Sequence, residues 1–170
     1  MSSAPVVVNF SYGSNMLSRR IQARVPSARP LGVAVLRGHR LQWHKCGHDR
    51  SGKCDVVVTD DPADAVHGVL YQFLAAEKAL LDAAEGLGAG YDEKQATVES
   101  ANGPLAAWLY YATATDRDLH PYSWYKALVL AGAREHALPD DYVAALEAVI
   151  AVEDEDAERH ALHLALANSR

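Results

Sequence analysis

Pro5-Val6-Val7-Val8-Asn9-Phe10, followed by Tyr12-Gly13-Ser14-Asn15-Met16, is the stretch on which the reading of this chain turns. The first run is short, β-branched and closed by a glycine turn, the mark of a buried strand. Beyond it Leu17, Ile21 and Val25 recur at helical spacing, and Ser14 or Asn15 can cap that helix. Strand, glycine and helix start together let the backbone approach a ligand and turn N–H groups toward an anion. The same order also describes a plain strand-turn-helix with no ligand.

Working outward, strands are expected over residues 31–36 and 40–45, on either side of Gly38. A turn through 47–52 then leads to a strand over 54–59, built on Val56-Val57-Val58. Residues 66–73 alternate weakly but favour a pleated surface. Residues 75–84 have good helix propensity and end at Glu85-Gly86, with glycine in a C-terminal position. Strands over 89–98 and 105–112 flank the Asn102-Gly103 turn signal. From Pro121 the period changes to helical: 121–137, then 139–152 with Tyr142, Val143, Leu146, Val149 and Ile150 on one stripe, then 154–168. Strands first, one inserted helix and a helical end predict a single α+β domain over 1–170, with a mixed or barrel-like sheet. The pattern alone leaves open whether that sheet closes.

Composition sets the outer bounds. A chain of 170 residues, 49% of them hydrophobic, can bury a core without staples. A net charge of −6 without a basic block speaks against a nucleic-acid partner. There is no run apolar enough for a membrane span, and no secretory leader pattern. Cys46 and Cys54 are too few for a disulfide framework. The expectation is a soluble, cytoplasmic protein, monomer or homodimer. Leu162, Leu164 and Leu166 of the last helix serve either its own domain or a second subunit.

Two apparent motifs lose force on inspection. Gly47-His48-Asp49-Arg50-Ser51-Gly52-Lys53-Cys54 nearly fits a phosphate-binding loop. It ends in a thiol where a magnesium-binding hydroxyl belongs, and it runs into a strand where a helix is required. A hairpin turn is the better reading. His44, Cys46 and His48 alternate, with Cys54 across the turn, and four such ligands could hold zinc. Their spacing matches no common zinc module, so no metal is expected.

Among many acidic residues, Glu85 stands out. Clusters such as 153–156 and Asp140-Asp141 need only solvent or a helix dipole. Glu85 ends an apolar helix beside a glycine-rich turn, where partial desolvation would favour its protonated form and make it a useful base. An exposed helix-end glutamate is the plainer alternative.

Tyr12-Gly13-Ser14-Asn15-Met16 and Leu81-Asp82-Ala83-Ala84-Glu85-Gly86 resemble the paired signatures of the γ-glutamylcyclotransferase-like family. Trp124-Tyr125-Lys126 and Gly132-Ala133-Arg134-Glu135-His136-Ala137-Leu138-Pro139 with Tyr142 resemble that family's helical segment after the sheet, and Ser51-Gly52-Lys53-Cys54 resembles a turn of its bacterial members. The resemblance spans roughly residues 6–150. It implies a small mixed β-barrel with flanking helices and one cavity. Tyr12, Gly13, Ser14, Asn15 and Met16 would bind a γ-glutamyl substrate, Tyr125 would hydrogen-bond within the site, and Glu85 would be the general acid/base. The implied reaction releases 5-oxoproline and a free amine and requires no metal or cofactor. Met16 stands where the family commonly has Leu, a volume-conserving change. Asn15 differs from the residue carried there by the glutathione-degrading group. Another amide or acyl enzyme on the same fold, or a non-catalytic module binding small carboxylates, are the alternatives. The leaving group is not legible in the sequence.

Overall fold

The computed structural model describes residues 4–169. Its strands are β1 (Val6–Ser11), β2 (Arg29–Arg37), β3 (His39–Cys46), β4 (Gly52–Val58), β5 (Ala65–Leu74), β6 (Tyr91–Ser100) and β7 (Gly103–Ala112). Its helices are α1 (Ser18–Arg24), α2 (Lys78–Glu85), α3 (Ser123–Glu135), α4 (Asp140–Glu147) and α5 (Ala157–Asn168). Strands β1-β5-β2-β6-β7 close into a barrel, settling the choice that hydrophobic pattern left open. Neighbours pair antiparallel except at the seam, where β1 meets β7 in parallel at Asn9 and Trp108. Closure runs through short pairings, two residue pairs between β2 and β6 and one between β1 and β7.

The weak alternation of β5 has a simple cause. Val66, Gly68, Val69, Leu70, Tyr71 and Phe73 are all buried, so both faces of this strand are covered. One face fills the barrel. The other carries the Tyr71 hydroxyl to the Met16 carbonyl, at 2.7 Å.

Strands β3 and β4 form a separate hairpin. It is tied to the segment after β7 by Cys46 N–H to Ala114 O and Gly52 N–H to His120 O, each 2.9 Å. Asp55 completes the attachment, accepting the Ala112 N–H at 2.7 Å. The turn before β4 is a hairpin turn, as read from sequence.

Several local expectations change. Neither Ser14 nor Asn15 caps α1; residues 14–16 form a 3-10 turn, and Leu17 occupies the cap without a side-chain bond. Ser14 Oγ instead accepts from Arg20, and Asn15 faces Glu85. Helix α3 begins at Ser123, because the chain at 121–123 pairs with Val152: Val152 N–H meets Pro121 O at 3.0 Å, and Ser123 N–H meets Val152 O at 2.8 Å. The same pairing draws the chain out of α4 after Glu147, where the Lys126 ammonium takes the carbonyls of Glu147 and Val149. Ile150 therefore leaves the predicted stripe and is 70% exposed. In α5, Leu164 and Leu166 pack on the core, whereas Leu162 faces out. Among the described residues no helix is long and apolar enough to cross a membrane.

Candidate active site

The loop after β1 and the end of α2 converge at one end of the barrel. Asn15 Nδ2 donates to Glu85 Oε1 at 2.6 Å, across 70 residues of sequence. Arg24, on α1, donates to the same oxygen at 2.8 Å and to Asn15 Oδ1 at 2.9 Å. Both donors fall on Oε1; among the described residues none meets Oε2. The apolar surroundings expected for Glu85 are replaced by a cation and an amide, although the side chain is only 15% exposed.

Helix α2 delivers Glu85 through two anchors. Gly86 adopts φ 72°, and Leu87 N–H bonds the Asp82 carbonyl at 2.9 Å, a left-handed stop that a side chain would strain. At the barrel side, Lys78 pairs with Asp82 and Glu93, and the Tyr110 hydroxyl donates to Asp82 at 2.6 Å. Tyr110 also accepts the Tyr12 hydroxyl on its carbonyl at 2.6 Å, so loop and helix lean on one strand residue.

The loop lines an inner cavity of about 40 Å³ together with Asn9, Glu85, Tyr91 and Tyr125. Met16 N–H bonds Gly13 O and Leu17 N–H bonds Ser14 O, but among the described residues the N–H groups of Gly13, Ser14 and Asn15 have no acceptor. Such groups call for a ligand or solvent partner. Asn9 Oδ1 is likewise buried without a partner there. Tyr12, Gly13, Ser14, Asn15, Tyr125 and Glu85 thus come together. Met16 does not line the cavity; it is fully buried beneath α3, where its side chain and backbone crowd against Gly132.

Tyr125 and Tyr91 clamp one peptide of β4. The Tyr125 hydroxyl accepts the Cys54 N–H at 3.1 Å, and the Tyr91 hydroxyl donates to the Cys54 carbonyl at 2.6 Å. Burial pushes the phenols of Tyr12, Tyr91 and Tyr125 well up. Burial also pushes the Cys54 thiol up to about 12, which makes it inert at neutral pH. Its neighbour in the considered zinc set, His44, instead meets Asp55 at 2.8 Å, and strand alternation breaks between Gln42 and Lys45. Among the described residues no His, Cys, Asp and Glu side chains gather as metal ligands.

Glu85, Ser14, Tyr91 and Tyr125 also border an outer cavity of about 290 Å³. Its further walls hold residues that sequence reasoning missed: Arg20, Arg24, Lys45 and Lys53, with Asp49 and Trp124. The Lys53 ammonium bonds Asp49 at 2.8 Å and lies 4.5 Å above the Trp124 ring. Scattered cations of this kind carry no sequence signal, because α1, β3 and β4 bring them together only on folding.

The mouth of the closed small barrel thus joins a carboxylate, free backbone N–H groups and several cations, groups able to hold a small anionic molecule. The AIG2-like family model matches residues 65–146, which include Glu85 and Tyr125. A bovine γ-glutamylcyclotransferase is 29% identical over 147 residues, covering 82% of this chain and 77% of the bovine protein. A solved γ-glutamyl cyclotransferase structure superposes with a TM-score of 0.82 at 25% identity, covering 94% of this chain and 98% of that one. An uncharacterized human protein superposes at 0.77 with 28% identity, covering 86% and 89%. Over these spans the chain is similar in sequence and fold to γ-glutamylcyclotransferases, and its residues 65–146 match the AIG2-like family model.

Proposed function

We propose that this chain is a γ-glutamylcyclotransferase that converts a γ-glutamyl amide into 5-oxoproline and a free amine, with Glu85 as proton carrier. The observation that carries the reading is the 2.6 Å bond from Asn15 to Glu85, which joins the two sequence motifs over one cavity. Named relatives with the same activity over most of the chain support it.

The substrate contains its own nucleophile. Glu85 Oε2 removes a proton from the α-ammonium, and the freed amine attacks the γ-carbonyl carbon. A C–N bond forms, closing a five-membered ring, and the carbonyl oxygen takes the negative charge. Collapse of that oxyanion breaks the original amide C–N bond as the proton on Glu85 passes to the departing nitrogen; the ring nitrogen then gives up its second proton through the same carboxylate, leaving a neutral lactam and an ammonium. No water is consumed. Because attack is intramolecular, correct folding of the substrate can supply on the order of 7–11 kcal/mol of the barrier. The N–H groups of Gly13, Ser14 and Asn15 suit the glutamyl carboxylate and the developing oxyanion. The unpaired Asn9 Oδ1 suits the ammonium.

The test is detection of 5-oxoproline by mass spectrometry after incubation with γ-glutamyl dipeptides and amines, beside Glu85→Gln. Product from the parent and none from the variant, with ligand still bound by the variant, is the expected result. A broad panel giving no 5-oxoproline overturns the reading.

A further inference from the structure

We propose that the outer cavity is a subsite for a leaving group bearing two anionic groups, so that the preferred substrates are γ-glutamyl conjugates of dicarboxylic amino acids, with Lys45 and Arg20 as the recognising cations. The proposal rests on the cyclotransferase reading and deepens it. Two of the four cations are already neutralised: Arg24 by Glu85 at 2.8 Å and Lys53 by Asp49 at 2.8 Å. The other two are not. Lys45 is only 4% exposed, yet among the described residues its ammonium has no hydrogen-bond acceptor and no carboxylate within 4 Å. It sits 4.6 Å above the Tyr91 ring. Arg20 donates its Nε to the neutral Ser14 hydroxyl at 2.9 Å, with no carboxylate partner among the described residues.

A buried cation without a counter-charge is costly, and a ring face or a hydroxyl offsets only part of that cost. The protonation energetics agree with the geometry. Burial lowers the Lys45 ammonium, with Glu85, Cys46 and Asp49 opposing, and burial together with Arg24 brings the Arg20 guanidinium down to about 10. In the proposed mechanism the glutamyl carboxylate takes the free backbone N–H groups of the inner cavity, so that group does not need either cation. Two uncompensated cations therefore remain on the leaving-group side, and α1 and β3 supply one each. A leaving amino acid with a neutral side chain brings one carboxylate and satisfies one of them. A dicarboxylic one satisfies both. A polyamine leaving group would set cation against cation and is disfavoured.

The experiment compares kcat/KM for γ-glutamyl-glutamate and γ-glutamyl-glutamine, which have the same shape and differ by one charge, using 5-oxoproline release from the intact protein. The expected preference for the acid is at least about tenfold, the scale of one charge-assisted contact. It should shrink as sodium chloride is raised and fall toward unity in Lys45→Met, where the ratio rather than the absolute rate is read. Equal or better turnover of the glutamine conjugate overturns the subsite and leaves the cyclotransferase reading intact. If neither dipeptide yields 5-oxoproline while other members of the γ-glutamyl panel do, the subsite is overturned and the cyclotransferase reading stands; if the whole panel yields none, both fall.

Discussion

Arg24 NH1 lies 2.8 Å from Glu85 Oε1, and through the same nitrogen it holds the Asn15 side-chain oxygen. One guanidinium thus sets the distance between the two halves of the site, contributed by α1 and α2. In the proposed mechanism it fixes the carboxylate and leaves Oε2 for the proton. Arg24→Met should lower kcat by about 10²-fold, the usual consequence of a misplacement near 1 Å, with a smaller change in KM. Arg24→Lys should restore part of the loss. A raised KM at unchanged kcat would mean that Arg24 binds substrate instead.

Gly132 of α3 sets the height of the loop over residues 12–16. A Cβ there would come within 2.5 Å of the Leu17 nitrogen and 2.7 Å of the Met16 carbonyl carbon. These are backbone atoms at the root of the loop, so they cannot swing aside. Alanine gains up to about 1 kcal/mol in helix propensity but forces an overpacking cost of about 1–3 kcal/mol. The strain wins. Gly132→Ala should lower the urea midpoint and depress kcat/KM together, whereas an unchanged midpoint would mean that α3 yields without moving the loop.

The strands and the Glu85-Gly86 stop were legible in sequence because β-branched runs and glycine act locally. Barrel closure was not, since it depends on Asn9 meeting Trp108 almost a hundred positions later. The inner site was half legible. Tyr12, Asn15, Tyr125 and Glu85, expected together from sequence, do line one cavity, whereas Met16, expected with them because it adjoins the motif, is packed in the core. Arg24 was missed for the same physical reason as Lys45 and Arg20. A cation on an amphipathic helix or strand looks solvated until tertiary contacts cover it.

Tyr125 should matter to stability as well as to the site. Its hydroxyl is the acceptor for the Cys54 N–H, and an ideal Cβ on Gly13 would approach it to 3.1 Å. Tyr125→Phe leaves that buried N–H unpaired, at a cost of about 1–3 kcal/mol. A drop in melting temperature with reduced kcat/KM is expected. An unchanged melting temperature would count against the clamp.

The two cysteines should behave differently toward a thiol reagent. Cys46 is partly exposed, whereas Cys54 is buried with its thiol pushed up to about 12. Native protein at pH 7–8 should therefore show one reactive thiol with 5,5′-dithiobis(2-nitrobenzoate), and two once unfolded in guanidinium. Two fast thiols in the native state would show that the Cys54 peptide is not held between Tyr91 and Tyr125.

Asp154 makes stability depend on acid pH in a predictable direction. Its buried carboxylate accepts Arg159 Nε and NH2 at 2.6 Å each, Trp124 Nε1 at 2.8 Å and the Asp156 N–H at 2.9 Å. The Arg159 bonds, with backbone and indole help against burial, hold it well below the ordinary carboxylate range. Because the folded state keeps this group ionised more readily than the unfolded chain does, its contribution is fully present above the unfolded value, about 3.9. It is lost as pH falls from there toward the depressed folded value. Asp154→Asn turns an acceptor into a donor facing Trp124 and Arg159, and should cost about 2–4 kcal/mol at pH 7. Urea unfolding of both proteins from pH 7 to pH 3 should show the gap between them narrowing below about pH 4. A gap that stays constant would mean that the clasp is steric rather than ionic. Trp124 also walls the outer cavity, so the same variant should raise KM for charged γ-glutamyl dipeptides by loosening that wall.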